Sequence, residues 1–374
     1  MMRVPWLIGF GLLIVIVLFA RRTDAMDQRS FESSQTPSSL TFPSGLAFPS
    51  GTKEAQVCQQ AWADYLKINS QIVNSLGGKM TLIPPGEFRM GNHEAPETAA
   101  AFAAEIGDVS SRPENYRDEY PVHAVILTQP FLIGTCEITR GEFQKFTDAT
   151  GYKTDAERDG LGGLGYNKVT QRVEQHSSFH WRNTGFDQAD DHPVVNVTWN
   201  DAVAFCNWIS QRESKRYRLP TEAEWEFACR AGTVSRVAAG NLPNDLEHCV
   251  NAGDQSCQMV PGFTGYTGFC TFTDGYPFTA PAGTFRANPL GLHDMHGNAW
   301  EWCRDYYEVD YYERSPKLDP SGPDSGRFHV YRGGGWMNGP AGIRSSRRGG
   351  PSPFDRCNRL GFRIVMELEP VQKR

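Results

Sequence analysis

The sequence predicts an irregular α+β fold with little regular secondary structure, and three observations support this. The 374 residues include 37 glycines and nine tryptophans, a composition typical of a domain rich in turns and aromatic packing. Short apolar runs alternate with turn residues, as expected for short strands, for example "MTLIPPGEFRMG" and "HAVILTQPFLIGTCEIT". Three helix start signals interrupt these runs, so helices and strands share one domain.

The first 25 residues predict an export segment. An apolar run from Val4 to Ala20 is followed by Arg21 and Arg22, and "TDA" before Met26 offers a cleavage site. The run is intermediate in length between a signal peptide core and a bilayer span, so residues 1–25 are a cleaved signal peptide or a retained anchor. Either case predicts an extracytoplasmic protein, periplasmic or secreted, tethered to the membrane through residues 4–20 if the anchor is retained.

Three further segments follow along the chain. Residues 26–53 are rich in Ser, Pro and Gly, with a small repeat, "FPSGLA" then "FPSGTK", and predict a disordered tether. Residues 54–77 place apolar side chains at near-helical spacing and predict a lead-in helix. Residues 78–370 then have the texture of one compact domain.

Each of the three helices is predicted from a threonine cap. A threonine hydroxyl can accept an early helical amide, and an acid three positions later favours the positive end of the helix. The pairs are Thr139 with Glu142, Thr198 with Asp201, and Thr221 with Glu224. In the second helix one face carries Ala202, Phe205, Cys206 and Ile209. Cys206 is therefore predicted to be a core or disulfide cysteine and not a nucleophile.

Charge and cysteine content limit the function classes. The net charge of −6 is mild and both signs are mixed along the chain, which excludes a nucleic-acid surface. Export would permit disulfides among the nine cysteines, whose odd number leaves at least one thiol free or paired with another chain. No CxxC is present, which argues against a zinc ribbon and a thioredoxin-type dithiol.

Six segments in order give the domain a specific resemblance. They are "IPPGEFRMG" (83–91), "PFLIGTCEITRGEFQKF" (130–146), "HPVVNVTWNDAVAFCNW" (192–208), "YRLPTEAEWEFACRAGT" (217–233), "NPLGLHDMHGNAWEWCRDYY" (288–307), and "RGGGWMNGPAGIRSSRR" with "RLGFRIV" (332–365). Together they resemble the formylglycine-generating enzyme, or sulfatase-modifying factor, family over roughly residues 78–368. The resemblance implies that family's α+β fold, distantly like C-type lectins.

The resemblance also implies an activity whose metal ligands are missing here. Family members oxidise a cysteine of an unfolded sulfatase to formylglycine with oxygen and a Cu⁺ ion held by two thiolates. At those two positions this chain has Asn338 and Ile343, which cannot replace thiolates, and Gly335 stands where serine is usual. Neither Cu⁺ nor any catalytic residue is therefore predicted. The expected substrate cleft comprises Gly335, Trp336, Asn338, Ile343 and Arg344.

Two structural Ca²⁺ sites are implied by the same resemblance. The first uses Asn251, the Ala252 carbonyl, Asp274 and the Tyr276 carbonyl, and the second uses Asp294, the Gly297 and Ala299 carbonyls, and Glu301. Mixed side-chain and backbone oxygens suit Ca²⁺. From the residues alone, Asp274 and Asp294 could equally cap turns.

Other residues of these segments have simpler interpretations. His293 and His296 are interpreted as solvated loop histidines, because no third strong metal ligand is near in sequence. The cluster of Arg344, Arg347 and Arg348 fits an anion site and structural ion pairs equally well. Most tryptophans of the motifs are expected to pack the core, with one or two lining the cleft.

Two functions follow from these residues. The first is a peptide-binding protein, braced by calcium, that holds unfolded sulfatase-type chains or other exported proteins without copper-dependent oxidation. The alternative is an active formylglycine-generating oxidase with a non-standard site. A third, iron-dependent branch of the superfamily needs a His-rich domain ahead of this one. Residues 26–77 contain no histidine, so this branch is discarded.

Overall fold

The protein is described by a computed structural model that covers residues 42–350 and 356–370. These residues belong to one compact unit that begins at Phe42. The predicted export segment and residues 26–41 of the predicted tether lie outside the described residues. None of the described helices combines the length and apolar character that a bilayer span requires.

The helices are short to medium in length. The α-helices are α1 (Thr52–Leu66), α2 (Pro96–Glu105), α3 (Arg140–Thr150), α4 (Asp155–Arg158), α5 (Trp199–Glu213), α6 (Glu222–Arg230) and α7 (Gln255–Gln258). Three 3₁₀ helices span Pro113–Glu119, Pro243–Leu246 and Tyr311–Glu313.

The strands are short as well. They are β1 (Leu46–Ala47), β2 (Gln71–Val73), β3 (Lys79–Ile83), β4 (Gly86–Met90), β5 (His123–Leu127), β6 (Phe131–Gly134), β7 (Gly163–Asn167), β8 (Arg172–His176), β9 (Tyr217–Arg218), β10 (Trp300–Tyr306), β11 (His329–Arg332), β12 (Arg348–Gly349), β13 (Leu360–Gly361) and β14 (Val365–Glu367).

A five-stranded sheet in the order β2-β3-β6-β14-β9 forms the centre of the fold. Neighbouring residues of its strands enter different apolar clusters, as Leu132 and Ile133 of β6 do. One cluster includes side chains of α1, α3 and α5, and the other includes those of α6, β4 and β5. The centre of the sheet is therefore buried on both faces, which explains why its central strand β6 has a continuous apolar sequence, FLIG.

A second sheet, in the order β12-β11-β10-β13, carries the segment with the missing thiolates. Strand β10 pairs antiparallel with β11 and parallel with β13. A three-stranded sheet, β1-β4-β5, and the hairpin β7-β8 complete the architecture. The predicted α+β class is confirmed.

The three predicted helix starts are confirmed. Thr139, Thr198 and Thr221 are the N-caps of α3, α5 and α6, and each hydroxyl accepts the amide of the acid three positions on. Each acid in turn accepts the amide of its threonine, which completes a capping box. The predicted core face of α5 is also confirmed, because Ala202, Phe205, Cys206 and Ile209 are all buried.

The end of the predicted tether is part of the domain. Residues 42–53, assigned to a disordered segment from composition, contribute strand β1, which pairs with β4, and the first residues of α1. The Phe48 ring packs 5.7 Å from Phe88 and 5.1 Å from Phe227, and Leu46 is buried. These few apolar side chains bury enough surface to order a Ser/Pro/Gly-rich segment.

The predicted lead-in helix over 54–77 is shorter than expected. Helix α1 ends at Leu66, where Lys67 takes a left-handed conformation with φ of 56°. Gln71–Val73 then form β2, which pairs antiparallel with β3. The β-branched pair Ile72 and Val73, followed by the turn at Gly77 and Gly78, favours this hairpin over continued helix.

Eight of the nine cysteines, all within the described part of the chain, do not form the disulfides that export would permit. They are the free thiols Cys58, Cys136, Cys206, Cys229, Cys249, Cys257, Cys270 and Cys303. Burial raises the pKa of the Cys229 thiol to about 12. Thiols of this kind are neutral and unreactive at physiological pH.

Candidate functional site

The segment 332–350 joins β11 to β12 and begins with a tight glycine turn. Gly333 and Gly334 have φ of 98° and 78°, a region that favours glycine. A Cβ on Gly334 would lie 2.5 Å from Cγ2 of Ile343. The turn therefore brings the start of this segment directly against the second position that has lost its thiolate.

Buried arginine–carboxylate pairs anchor this segment. Arg344 donates two hydrogen bonds of 2.6 Å to the Glu119 carboxylate, and both side chains are buried. Arg348 donates to both oxygens of Glu222 at 2.7 and 3.0 Å, and Arg332 pairs with Glu226. Arg344 and Arg348 therefore form structural ion pairs. Of the two interpretations of the arginine cluster, an anion site or structural ion pairs, the second applies to these two residues.

Two adjoining cavities meet over this segment. Their volumes are about 460 Å³ and about 700 Å³. They share four lining residues, which are Asn115, Trp300, Asn338 and Arg347. We call the combined cleft the Asn338 groove. Its walls mix aromatic rings with charged side chains, a composition that can hold an extended ligand.

Asn338 is held in one orientation within the groove. Its Oδ1 accepts hydrogen bonds from the Trp300 indole Nε1 at 2.9 Å and from the Gly335 amide at 3.1 Å. Both partners can only donate, so the carboxamide oxygen must face them. Asn338 therefore has a fixed structural role at the position of the first missing thiolate.

The other predicted cleft residues take different positions. Ile343 is fully buried among Val237, Leu246, Val250, Ala252 and Cys270, and it does not line the groove. Trp336 is also fully buried, and its Nε1 donates to the Asn358 carbonyl at 2.9 Å. Gly335 is buried, and Arg344 does line the groove. The cleft expected from the motif therefore reduces to Asn338 and Arg344.

Two further arginines line the groove and were not assigned to it from the sequence motif. Arg347 is about one-third exposed and donates to the Asn115 carbonyl at 3.1 Å. The Arg359 guanidinium donates a hydrogen bond from Nη1 to the Met337 sulfur at 3.3 Å. Arg359 lies in the turn immediately before β13, so only the tertiary structure places it here.

His296 is buried, which corrects its interpretation as a solvated loop histidine. Its Nδ1 lies 2.8 Å from the Ile343 carbonyl, and its Nε2 accepts from the Ala238 amide at 3.1 Å. Burial lowers the pKa of His296 to about 4. The neutral ring therefore fixes the backbone of the second missing-thiolate position.

The two loops predicted to bind calcium contact each other. Asn251 and Gly297 form a parallel β-bridge, and the Asn251 carbonyl accepts the Asn298 amide at 2.7 Å. A Cβ on Gly297, whose φ is 84°, would lie 2.0 Å from the Asn251 carbonyl oxygen. Glycine is therefore required where the two loops meet.

Unpaired buried oxygens belong to both predicted calcium loops and to Glu137. Asp294 Oδ1, Glu137 Oε2 and Asn251 Oδ1 are buried without a hydrogen-bond partner among the described residues. Burial raises the pKa of both Glu137 and Asp294, and the nearby Asp294 carboxylate raises the pKa of Glu137 further. Such oxygens favour a bound cation, because an unpaired buried acceptor is costly. Glu137 lies far from these loops in sequence, so sequence reasoning missed it.

Glu301 is already engaged. Arg363 donates to both of its oxygens at 2.6 Å, and the Trp225 indole donates to Oε2 at 2.8 Å. The buried arginine neutralises the carboxylate that was predicted to hold calcium. Glu137 thus supplies the available carboxylate near Asp294.

The first predicted calcium loop is more fully hydrogen-bonded. The Asp274 oxygens accept the amides of Ala252 at 2.9 Å and Tyr276 at 2.7 Å. Burial raises the pKa of Asp274 to about 7, with a smaller contribution from neighbouring Asp254. Asp254 was not predicted, although its side chain is fully buried and accepts the Asp274 amide.

A cavity larger than either part of the Asn338 groove lies elsewhere. It has a volume of about 800 Å³ and is lined by Cys136, Glu137, Glu142 and residues of the β2–β3 turn, among others. It shares no lining residue with the Asn338 groove. Size alone therefore does not identify the site of the family segment.

Comparison with known proteins identifies the family. Residues 67–368 match the sulfatase-modifying factor enzyme 1-like domain. This chain belongs to the sulfatase-modifying factor family. The predicted resemblance is thereby confirmed over most of the chain.

Relatives of this family include both an enzyme and a protein named as inactive. The formylglycine-generating enzyme of Streptomyces coelicolor is 33% identical over 311 residues, covering 77% of this chain and 88% of that protein. Inactive C-alpha-formylglycine-generating enzyme 2 of Bos taurus is 28% identical over 329 residues, covering 79% and 89%. The solved structure of PvdO from Pseudomonas aeruginosa has a TM-score of 0.58 and 26% identity, covering 80% of this chain and 98% of PvdO.

The residues at the family's copper positions do not fit Cu⁺. That ion favours soft thiolates, whereas Asn338 presents a carboxamide whose oxygen is occupied and Ile343 points into an apolar cluster. Over the described residues, no three His, Cys, Asp or Glu side chains converge as a metal site of those residue types would require. This does not exclude calcium, which accepts carbonyl and carboxamide oxygens as well.

Proposed function

We propose that this chain is an exported, calcium-braced member of the sulfatase-modifying factor family that binds a peptide in the Asn338 groove without copper-dependent oxidation. The ligand would be an unfolded sulfatase-type segment or a segment of another exported protein. Export rests on the pattern of residues 1–25, which either leave with signal cleavage or tether the protein to the membrane.

The observation that carries this proposal is the fate of the two thiolate positions. Asn338 is used to accept two hydrogen bonds, and Ile343 is used to fill an apolar cluster. Both positions thus have structural roles that do not support metal binding. The Asn338 groove consists of two cavities that share lining residues, and this elongated space suits an extended peptide.

A relative named as inactive supports the proposal that this chain lacks copper-dependent oxidation. The match to the Bos taurus protein covers 79% of this chain, and the match to the Streptomyces coelicolor enzyme covers 77%. Loss of oxidation with retention of the fold is therefore compatible with the family. Fold and activity are separable properties of a protein.

Calcium is proposed to brace the loops next to the groove. Asp294 and Glu137 would provide side-chain oxygens at one site, with the Gly297 and Ala299 carbonyls. Asn251 and Asp274, with the Ala252 and Tyr276 carbonyls, would form the other, near Asp254. A bound cation would neutralise carboxylates that burial otherwise disfavours.

The deciding experiment combines oxygen consumption, mass spectrometry and binding. The full-length chain is supplied with copper and a sulfatase-type cysteine peptide, while a labelled copy of the peptide reports binding. We expect binding without oxygen uptake and without loss of the cysteine sulfur from the peptide. Oxygen uptake with conversion of cysteine to formylglycine would establish the alternative, an oxidase with a non-standard site.

A further inference from the structure

The floor of the Asn338 groove presents a hydrogen-bond donor. Because Asn338 Oδ1 accepts from Trp300 Nε1 and the Gly335 amide, its NH₂ group is turned away from both. Among the described residues, no protein acceptor receives a hydrogen bond from Asn338 Nδ2. The residue is partly exposed and lines both cavities, so these N–H groups are available to a ligand.

Two cations lie beside this donor. Arg347 lines both cavities together with Asn338, and Arg359 lines the smaller one. The Arg359 guanidinium contacts the Met337 sulfur and forms no ion pair with a described carboxylate. Arg347 lies 3.7 Å from Glu119, a carboxylate that already accepts two hydrogen bonds from Arg344. Both guanidiniums therefore keep donors for a ligand.

The other arginines of the groove are paired with carboxylates. Arg348 is paired with Glu222, and Arg117 is paired with Asp310 at 2.8 Å. Asp118 accepts from the Tyr307 hydroxyl at 2.9 Å, and Asp108 accepts from Ser110 at 2.7 Å. These two acids, with Glu114, belong to the wall formed by residues 108–118. The floor and the Arg359 side of the groove thus supply donors.

We propose that the groove recognises a carboxylate of its peptide ligand, which Asn338 Nδ2, Arg359 and Arg347 bind at the floor. The carboxylate belongs either to an acidic side chain or to the C terminus of the ligand, since both present the same two acceptor oxygens. This inference rests on the proposed peptide-binding function. It adds the chemical class of the ligand group, a carboxylate, that the groove around Asn338 would bind.

Three fluorescein-labelled peptides of otherwise identical sequence test the ligand class. The first has a central glutamate and an amidated C terminus, the second a central glutamine and an amidated C terminus, and the third a central glutamine and a free C-terminal carboxylate. Binding to the full-length chain is measured by fluorescence anisotropy at fixed ionic strength. We expect the first or the third peptide to bind at least about tenfold more tightly than the second, the effect of one charge-assisted hydrogen bond.

Variants locate the carboxylate. Asn338→Asp keeps acceptors for Trp300 and Gly335 but places a negative charge at the floor, so it should weaken binding of the carboxylate peptide at least about tenfold more than binding of the neutral peptide. Arg359→Gln should act in the same direction, and Arg359→Lys should restore part of the affinity. Arg327→Gln is the matched control, because Arg327 is exposed and does not line the groove.

The outcomes separate this inference from the proposed function. Equal binding of all three peptides would overturn the carboxylate site while leaving the peptide-binding function in place. No binding of any peptide would overturn both. A tenfold preference that survives both Asn338→Asp and Arg359→Gln, in variants that melt at the wild-type temperature, would also overturn the assigned site.

Discussion

At the scale of single residues, buried charges hold the groove segment in place. The side chains of Arg332, Arg344, Arg348 and Arg363 are almost completely buried, and each pairs with a buried glutamate. A buried pair of this kind stabilises little relative to an apolar pair, but removal of one partner leaves an uncompensated charge. These contacts therefore determine how sensitive each position is to substitution.

The Arg344–Glu119 pair gives the first prediction. Arg344→Met should lower the free energy of unfolding by about 3–5 kcal/mol, because Glu119 remains buried and charged. The double variant Arg344→Met/Glu119→Gln should recover part of this loss. Arg117→Met removes an exposed ion pair and should cost less than about 1 kcal/mol. Urea denaturation measures all three, and equal losses for Arg117 and Arg344 variants would contradict the prediction.

Asp305 gives a pH prediction. Burial, reinforced by the nearby Glu222 carboxylate, raises the pKa of Asp305 to about 8, while its carboxylate accepts the Glu222 amide at 2.9 Å. A folded pKa above the unfolded value means stability that is present below about pH 4 and is lost as the pH rises through about 8.

Asp305→Asn should therefore gain stability relative to wild type as the pH rises. We expect the difference in unfolding free energy to change by at least about 2 kcal/mol between pH 5 and pH 8. Asp187→Asn, at a fully exposed aspartate, is the matched control. A difference between Asp305→Asn and wild type that is independent of pH would refute the pKa assignment.

At the scale of elements, local caps position the helices that supply the buried glutamates. Helix α6 starts at the Thr221 cap and carries Glu222 and Glu226, the partners of Arg348 and Arg332. The capping box thus sets where these carboxylates enter the core. A weakened cap should affect stability without removing any ion pair.

Thr221→Ala tests this role. Loss of the hydroxyl leaves the Glu224 amide without its acceptor and should lower the free energy of unfolding by about 1 kcal/mol. Thr221→Ser keeps the acceptor and should retain most of the stability. Chemical denaturation of the two variants gives the comparison, and identical losses would show that the cap contributes little.

At the scale of the whole molecule, loops that are far apart in sequence share one polar interior. Asn251, Asn298 and Glu137 form a hydrogen-bonded chain in which Asn251 donates to Asn298 at 3.1 Å and Asn298 donates to Glu137 at 3.0 Å. This series of hydrogen bonds ends at Glu137, whose second carboxylate oxygen is unpaired. Calcium at this point would link three separate parts of the fold.

Calcium should therefore stabilise the full-length chain. At a concentration of about 100 times the Kd, calcium would add about 2.7 kcal/mol and raise the Tm by several degrees. The rise should be larger at pH 8 than at pH 5.5, because burial raises the pKa of Asp274, Asp294 and Glu137 and calcium must compete with protons at the lower pH.

Asp294→Asn should reduce the calcium-dependent shift, and Asp187→Asn should leave it unchanged. Differential scanning calorimetry with EDTA or CaCl₂ measures the shift. An equal Tm in EDTA and calcium at both pH values would remove calcium from the proposal.

The sequence by itself determined features that depend on residue type or on a few neighbouring residues. The caps at Thr139, Thr198 and Thr221 follow from a threonine and an acid three positions apart, a contact within one helical turn. The loss of two thiolates follows from the identity of Asn338 and Ile343 within the family motif. Ligand chemistry is a property of the side chain, so it needs no coordinates.

Only the tertiary structure decided burial and pairing between distant residues. It buried His296, ordered the chain from Phe42, turned Ile343 into the core, and placed Arg359 at the groove. It also placed Glu137 near Asp294 and paired Glu301 with Arg363 in a buried ion pair. The reason is physical: whether a polar group is solvated, paired or left open depends on which segments pack against it, and a local pattern does not specify those segments.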